Sequence, residues 1–517
     1  MTRTSDSRLI VVSNRLPIVL AREPDGGWQS RAGSGGLVTA LAPVLRARGG
    51  VWVGWTGVVT EDMADGGELP ALGDDPGYSL VPVPMSAWER DHFYLGFSNE
   101  IIWPLFHDLL SHCVFSPDYW MAYEAVNRTF AERVAAEARP ADTIWVHDYH
   151  LMQVGQELRA LEVTNRLSFF LHIPFPPPDI FLKLPWREQV LRALLAYDLV
   201  GFQTERDRQN FVGCVRTLFG ELVASQGEAD ATVHMAERSV RLGSFPIGID
   251  NASFAQAAAE PEVTAMVGTI RATLPNAKVI LGVDRLDYTK GIIERLEAFR
   301  NALERYPELR GRVTLFQMVV PSRTDIAGYA NLKMQIERLI GEINGQFTRL
   351  GWVPVHYVFR SLDRSELLAF YRTADIALVT PLKDGMNLVA KEYCACSIED
   401  GVLILSEFAG AADQLGQGAL LVNPYDIEGV ADAIARACSM PEAERQERMR
   451  TLRRLVRQCD VFWWVDTLLA AAGPHEPPGD ACAVGAPPAV AHPKALGGGT
   501  DGAAEGPVRR LASLRVV

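Results

Sequence analysis

The 517-residue sequence predicts an α/β protein: two Rossmann-like parallel-sheet domains facing each other across a cleft. Three observations carry that reading. Short apolar runs alternate with helix-like segments from residue 9 to residue 469, the order that builds open parallel sheets with helices on both faces. Most of these runs are continuous rather than alternating, as strands buried on both faces are. At least eleven such runs occur, more than one doubly wound sheet usually holds.

Taken in order, Leu9–Ser13, Val51–Trp55, Thr143–His147, Leu167–His172 and Leu199–Gln203 read as the strands of the first half. Val279–Val283, Val313–Val320, Val353–Phe359, Asp375–Thr380, Val402–Ser406 and Ala419–Asn423 read as those of the second. Helical period marks Leu37–Arg46, Ile293–Arg305, Asn331–Ile343 and the segment after Asp384. A strand-like run ends and an acidic, alanine-rich helical stretch begins near Pro246–Asn251, which sets the domain boundary there. The expected division is a flexible N-terminus over 1–8, a first domain over 9–248 and a second over 249–455. Phe462-Trp463-Trp464-Val465 with Leu468 and Leu469, inside 456–472, forms an apolar helix that must dock somewhere. Residues 473–517 are rich in Gly, Ala and Pro and cannot bury enough surface to offset ordering, so disorder is expected.

Composition narrows the function classes. Hydrophobic residues make up 48% and charged residues 22%, ordinary for a soluble globular enzyme. The net charge of −13 argues against nucleic acid or an anionic membrane as partner. No run of eighteen apolar residues exists to span a bilayer, and Met1–Ser7 has no apolar core of a signal peptide. The seven cysteines are scattered, and Cys394 and Cys396 form a C-x-C, so they read as idle or buried thiols in a reducing cytosol. A cytoplasmic location is expected.

The motifs that bear chemistry lie at strand ends, where open α/β sheets bind their ligands. Asp384-Gly385-Met386-Asn387-Leu388-Val389-Ala390-Lys391-Glu392 follows a buried strand and opens a helix. The free N–H groups and partial positive charge of a helix N-terminus fit a diphosphate, and Glu392 two turns later fits the hydroxyls of an attached sugar. The bland alternative is a helix cap by Asp384 with no ligand. Val283-Asp284-Arg285-Leu286-Asp287-Tyr288-Thr289-Lys290-Gly291 places two cations at a strand end, either a solvated loop or a clamp on a leaving diphosphate. Arg15, at the end of the first strand, is a surface arginine or a bidentate phosphate ligand. Gly33-Ser34-Gly35-Gly36 before a helix permits close approach to phosphate but lacks a dinucleotide or P-loop spacing. Val320-Pro321-Ser322-Arg323 adds an arginine after another strand. Trp145–His150 and His172–Pro176 bring histidines and Asp148 to two more strand ends. No G-x-S-x-G elbow supports a hydrolase triad there, and without further ligands a metal ranks below a hydrogen-bonding role.

Together Ser13-Asn14-Arg15, Gly35-Gly36, Gly54-Trp55, Phe97-Ser98-Asn99 with Trp103-Pro104, Trp145–His150, His172–Pro176, Gly201–Thr204, Arg285–Gly291 and Asp384–Glu392 resemble the trehalose-6-phosphate synthases, from about Leu9 to about Leu469. The resemblance implies the GT-B fold, with the helix in 456–472 crossing back to the first domain. It implies transfer of glucose from UDP-glucose, or another nucleotide-glucose, to glucose 6-phosphate with retention, giving α,α-trehalose 6-phosphate and UDP. In that family Arg285 and Lys290 would contact the donor diphosphate, with Gly35 and Gly36 against it from the other domain. Gly385, Met386, Asn387, Leu388 and Val389 would meet donor glucose and phosphate through backbone, Asp384 would take a glucose hydroxyl and cap the helix, and Glu392 the ribose. His172 would lie near the donor sugar, its carbonyl included; Arg285, Lys290, His172 and Asp384 form the catalytic set. Arg15, Tyr94 and Arg323 would hold the acceptor phosphate, with Trp55, Trp103 and Asp148 around its sugar. No cofactor and no metal are implied. The expected partners are the two sugar substrates, a homo-oligomeric assembly and a separate downstream phosphatase, with no nucleic acid and no membrane. A sibling using glycerol 3-phosphate or a cyclitol phosphate, or a silent sugar-phosphate sensor, are the competing readings.

Overall fold

Leu9–Val12 is apolar without alternation, so it suits a strand covered on both faces, and β1 (Leu9–Arg15) lies inside a nine-stranded sheet with Ile10, Val11 and Val12 fully buried. In the computed structural model the described residues are 8–22, 28–33, 36–64, 77–220, 224–226, 230–235, 238–274, 277–322, 327–397 and 400–473. The tail expectation therefore falls almost wholly outside the described residues, as does the N-terminal one apart from Arg8, which pairs with Asp142 at 2.8 Å.

The first lobe continues with β2 (Ile18–Arg22) and β3 (Trp28–Ala32), an antiparallel pair apart from the main sheet. Then come β4 (Gly50–Trp55), β5 (Ser79–Val83), β6 (Thr143–His147), β7 (Arg166–Phe170), β8 (Leu199–Phe202), β9 (Ala224–Gln226), β10 (Asp230–His234) and β11 (Ser239–Ser244). Their order is β5-β4-β1-β6-β7-β8-β11-β10-β9, antiparallel only at β9 and β10. The second lobe holds β12 (Lys278–Arg285), β13 (Val313–Val320), β14 (Val355–Phe359), β15 (Ile376–Val379), β16 (Val402–Ser406) and β17 (Leu420–Val422). All are parallel, in the order β14-β13-β12-β15-β16-β17.

Both sheets run outward from their first strand in opposite directions, so each has a topological switch point. It lies between β1 and β6 in the first lobe and between β12 and β15 in the second. Ligand crevices form at such points, beyond the carboxyl ends of the strands. All eleven expected strands are present. The sequence reading missed β2, β3, β5, β9 and β10, and gave no bounds to the strand-like run before Pro246 that is β11. Pro82 in the edge strand β5 explains one of these, because proline breaks the strand signal yet is tolerated at an edge.

The helix Val461–Ala472 crosses back to the first sheet. Its Trp464 is fully buried, with ring centroids 4.9 Å from Trp145 and 5.1 Å from Phe170. Arg166 ties down its end by donating to the Ala472 carbonyl at 2.7 Å. One apolar cluster runs from Val11, Trp52 and Trp145 through Trp464 to Leu281, Val379 and Tyr393, joining the two lobes. No helix of the described residues is long and apolar enough to cross a membrane. The six described cysteines carry free thiols.

Candidate active site

The second lobe builds its half from loops after β12 and β15, the two strands beside its switch point. After β15 the chain turns at Asp384–Asn387 and enters the helix Leu388–Cys396. The cap of that helix corrects one expectation. Asn387, at φ 80°, is the N-cap, and its Oδ1 accepts from the Ala390 N–H at 3.1 Å. Asp384 lies too early in the chain to cap and instead accepts from Lys290 Nζ at 2.6 Å and Asn387 Nδ2 at 3.1 Å. Burial alone would raise the Asp384 pKa, but the Lys290 ammonium outweighs it and holds the carboxyl below its usual range. The turn is braced from behind: Asp384 N–H donates to Phe408, Gly410 N–H to Asp384 and Ala411 N–H to the Met386 carbonyl, at 3.2, 3.0 and 2.8 Å.

Arg285 ends β12 and is exposed, its guanidinium 5.8 Å from the centre of the Trp103 ring of the first lobe. Lys290 is buried, and the backbone that carries it is fixed by Arg295, a wholly buried side chain that donates to the Lys290 carbonyl at 3.3 Å and Thr380 Oγ1 at 3.0 Å. Glu392 is half-buried and accepts from the Tyr371 hydroxyl at 2.8 Å. The protein packed around it raises its pKa, and the Tyr371 hydrogen bond offsets part of that rise. Leu388 and Val389 form the first, half-buried turn of the helix.

The first lobe supplies residues at both strands beside its own switch point. Arg15 ends β1 and lies 4.5 Å over the ring of Trp55, which ends β4. Gly57, at φ 93°, makes room for it, since a Cβ there would sit 2.0 Å from the guanidinium. Tyr94 lies on a π-helical segment, Arg90–Ile102, whose wide turn lets Asn99 Nδ2 donate back to the Tyr94 carbonyl at 2.6 Å. The Tyr94 ring meets Trp55 at 6.2 Å and stacks on His150 at 5.8 Å. Asp148 follows β6 at φ 74° and accepts from the His172 N–H at 3.2 Å. His172 Nε2 lies 3.1 Å from His147 Nδ1, and burial pushes the His172 pKa down to about 3, so the ring is neutral. Gly36 opens the helix Gly36–Arg48, while Gly35 and Arg323 lie outside the described residues.

The halves meet at named contacts. A Cβ on Gly385 would lie 2.2 Å from the His172 carbonyl oxygen and 3.0 Å from Ile173 Cα, so only glycine permits this approach. Trp103 Nε1 donates to Asp287 Oδ1 at 3.4 Å, His112 stacks on Tyr288 at 4.5 Å, and Lys383 pairs with Asp108 at 2.6 Å. Asp108, Lys383, Tyr371, Asn387 as cap, and His107 (buried beside Trp103) are site residues the sequence reading passed over. The Tyr371 to Glu392 separation carries no local signal, whereas Asn387 three residues before Ala390 is a legible cap spacing.

Lys290 is matched by Asp384, but neither Arg15 nor Arg285 has a carboxylate partner among the described residues. Two unpaired guanidiniums in one cleft ask for anionic ligands. Among the described residues no group of three or more His, Cys, Asp or Glu side chains is arranged to hold a metal ion.

Known proteins share this fold. A trehalose-6-phosphate synthase of Mycobacterium avium (strain 104) is 45% identical over 481 residues, covering 91% of this chain and 97% of that protein. A solved α,α-trehalose-phosphate synthase (UDP-forming) from Burkholderia xenovorans in complex with glucose-6-phosphate superposes with a TM-score of 0.82 at 38% identity, covering 90% and 100% of the two chains. A structure from E. coli bound with UDP-2-fluoro glucose gives 0.81 at 38% identity, covering 90% and 99%. Glycosyltransferase family 20 matches residues 7–473, which takes in both sheets, the cleft between them and the returning helix, and the chain belongs to that family.

Proposed function

We propose that this chain is a retaining glucosyltransferase that moves glucose from UDP-glucose to glucose 6-phosphate, giving α,α-trehalose 6-phosphate and UDP. The observation that carries the reading is the pair of arginines without carboxylate partners, one at the end of the first strand of each sheet. Each can hold one phosphorylated substrate, and the close approach at Gly385 brings the two half-sites together. The relatives with glucose-6-phosphate and UDP-2-fluoro glucose supply the matching ligands.

In this assignment the lobe over 249–455 takes the donor. Arg285 and Lys290 hold its diphosphate with the Gly385–Val389 backbone, Asp384 takes a glucose hydroxyl and Glu392 the ribose. The lobe over 9–248 takes the acceptor, its phosphate on Arg15, Tyr94 and Arg323 and its ring among Trp55, Trp103 and Asp148. Gly35 and Gly36 face the diphosphate from that side.

Among the described residues the cleft carboxylates are already engaged, Asp384 by Lys290 and Asn387 and Asp148 by the His172 N–H, and neither is assigned as a covalent nucleophile. The acceptor hydroxyl therefore attacks the anomeric carbon on the face that the diphosphate leaves. The C–O bond to UDP breaks as the new glycosidic bond forms, and the hydroxyl proton passes to the departing phosphate oxygen. Charge grows on the diphosphate, and Arg285, Lys290 and the helix N-terminus stabilise it, so no metal is required. The product keeps its 6-phosphate, and a separate phosphatase is the expected next enzyme. Neither phosphorylated substrate crosses a bilayer unaided, in keeping with a cytoplasmic enzyme, and a homo-oligomer remains the expected assembly.

The test is release of UDP and formation of trehalose 6-phosphate by the purified chain, run across UDP-, GDP- and ADP-glucose and with glycerol 3-phosphate as a second acceptor. Turnover that depends on glucose 6-phosphate is expected. A clear preference for glycerol 3-phosphate, or no turnover with any donor, would overturn the assignment.

A further inference from the structure

Behind His172 three buried ring nitrogens have no hydrogen-bond partner among the described residues: Trp145 Nε1 and His147 Nε2 of the first lobe and Trp464 Nε1 of the helix that crosses back to it. All three side chains are 0% exposed. They are neighbours, with ring centroids 4.4 Å apart for Trp145 and His147, 4.9 Å for Trp145 and Trp464, and 6.3 Å for His147 and Trp464. Buried polar atoms are almost always paired, and three unpaired ones on adjoining rings are what a bound water would satisfy.

The chemistry of the three decides how such a water must point. An indole N–H only donates. A water that accepts from Trp145 and Trp464 has used both lone pairs, so its contact with His147 is one in which the water donates. His147 Nε2 is then an acceptor and carries no proton. Burial, with the neighbouring His172 adding to it, pushes the His147 pKa well below its ordinary value, so the ring is neutral and its single proton lies on Nδ1. That atom is 3.1 Å from His172 Nε2 and donates to it. His172 is neutral as well and must carry its own proton on Nδ1. The reverse arrangement sets three N–H donors around one water and leaves one of them without an acceptor, the costlier state for a buried group.

We propose that Trp145, Trp464 and His147 hold a buried water that fixes the tautomer of His172, leaving His172 Nδ1–H as the ring donor available to the donor sugar. Trp464 then acts as a positioning residue, and the helix that crosses back to the first lobe does more than close the fold. The use of that N–H by a sugar rests on the donor-site assignment above; the tautomer itself does not.

The experiment is a long-range 1H–15N spectrum of the full chain labelled with 15N-histidine, without substrate, the two residues assigned from His147→Asn and His172→Asn. The expected result is a protonated Nδ1 and a bare Nε2 on His172. In Trp464→Phe one lone pair of the water is freed, both tautomers become satisfied, and the His172 signals should shift toward a mixture. Turnover should fall about tenfold while the KM for glucose 6-phosphate holds. Trp145→Phe makes the same cut from the sheet side should the helix variant fail to fold. A His172 protonated on Nε2 in the parent, or a tautomer unmoved in both tryptophan variants, overturns the proposal. A failed transferase assay would count against the proposed function and leave the spectrum as it stands.

Discussion

Gly385→Ala tests whether the contact between the two lobes sets the geometry of the cleft. The added methyl would sit 2.2 Å from the His172 carbonyl oxygen, whereas ordinary contact begins near 3.4 Å. The two groups must therefore part by about 1 Å. Neither backbone yields alone. The His172 side is held by Asp148, which accepts its N–H at 3.2 Å. The Gly385 side is held by the hydrogen bonds to Phe408 and from Gly410 and Ala411. The gap must open between the lobes, which shifts the donor half-site against the acceptor half-site. A displacement of about 1 Å costs on the order of 100-fold in turnover, about 2.7 kcal/mol of barrier. The apolar clusters confined to one lobe, around Phe97 in the first and Phe299 in the second, are untouched, so the melting temperature should fall far less than turnover. The assay is kcat at saturating UDP-glucose and glucose 6-phosphate beside a thermal melt. Turnover within twofold of the parent would refute the claim that this contact aligns the substrates.

Arg285→Ala and Lys290→Ala should both lose most turnover yet differ in stability. Arg285 is exposed with no carboxylate partner among the described residues, so its loss should leave the melt unchanged. Lys290 holds the Asp384 pKa low, which stabilises the fold at neutral pH and fades as pH falls through that low value. Lys290→Ala should therefore melt earlier at pH 7, with the gap narrowing in acid; equal melts would sink the pairing argument. Asp384→Asn should weaken turnover but bind UDP more tightly by calorimetry, because Lys290 no longer has to leave a partner to reach the phosphates. Tyr371→Phe removes the hydrogen bond that keeps the Glu392 pKa from rising further. The acid limb of kcat/KM for the nucleotide sugar should then move to higher pH, with about a tenfold loss at low pH; an unmoved limb would count against Glu392 as a ligand.

Much of the fold was legible because parallel strands buried on both faces leave continuous apolar runs such as Thr143–His147 and Val402–Ser406, both found with the bounds expected. What escaped was structure with no such run. β5 is an edge strand containing Pro82, and β2 and β3 pair only with each other. The strand ends also mattered. β7 stops at Phe170, which frees His172 to lie in the loop, as a strand extended to His172 would not. In the candidate site, residue types at strand ends pointed to loops that the structure sets beside the two switch points. Local spacing misassigned the cap, because Asp384 and Asn387 both suit that role. Only the approach of β12 to β15 gives Asp384 to Lys290, 94 residues away in the chain. Contacts between lobes, such as Lys383 with Asp108, are likewise invisible until the sheets face each other.

The charges in the cleft follow a common logic. The chain carries a net charge of −13, yet the proposed reaction brings two anions together, and a phosphate monoester alone carries roughly −1.5 to −2. Long-range attraction cannot supply that; local cations must. A buried cation without a partner is costly in the empty enzyme. The structure divides the task. Arg15 and Arg285 stay at strand ends with exposed side chains, Arg15 partly stripped of water by the protein around it, which lowers its pKa. Lys290, which is buried, is matched by Asp384. When the donor binds, the lysine can turn to the diphosphate and the aspartate to a sugar hydroxyl. Neither is then left alone in a dry site, and the exchange replaces one charge pair by another. In the ligand-free enzyme the pairing keeps Asp384 ionised and so rules it out as an acid, and in the proposed complex the sugar hydroxyl takes the place of the ammonium beside it. In the proposed reaction retention rests on the leaving diphosphate itself, whose growing charge the facing cations would stabilise.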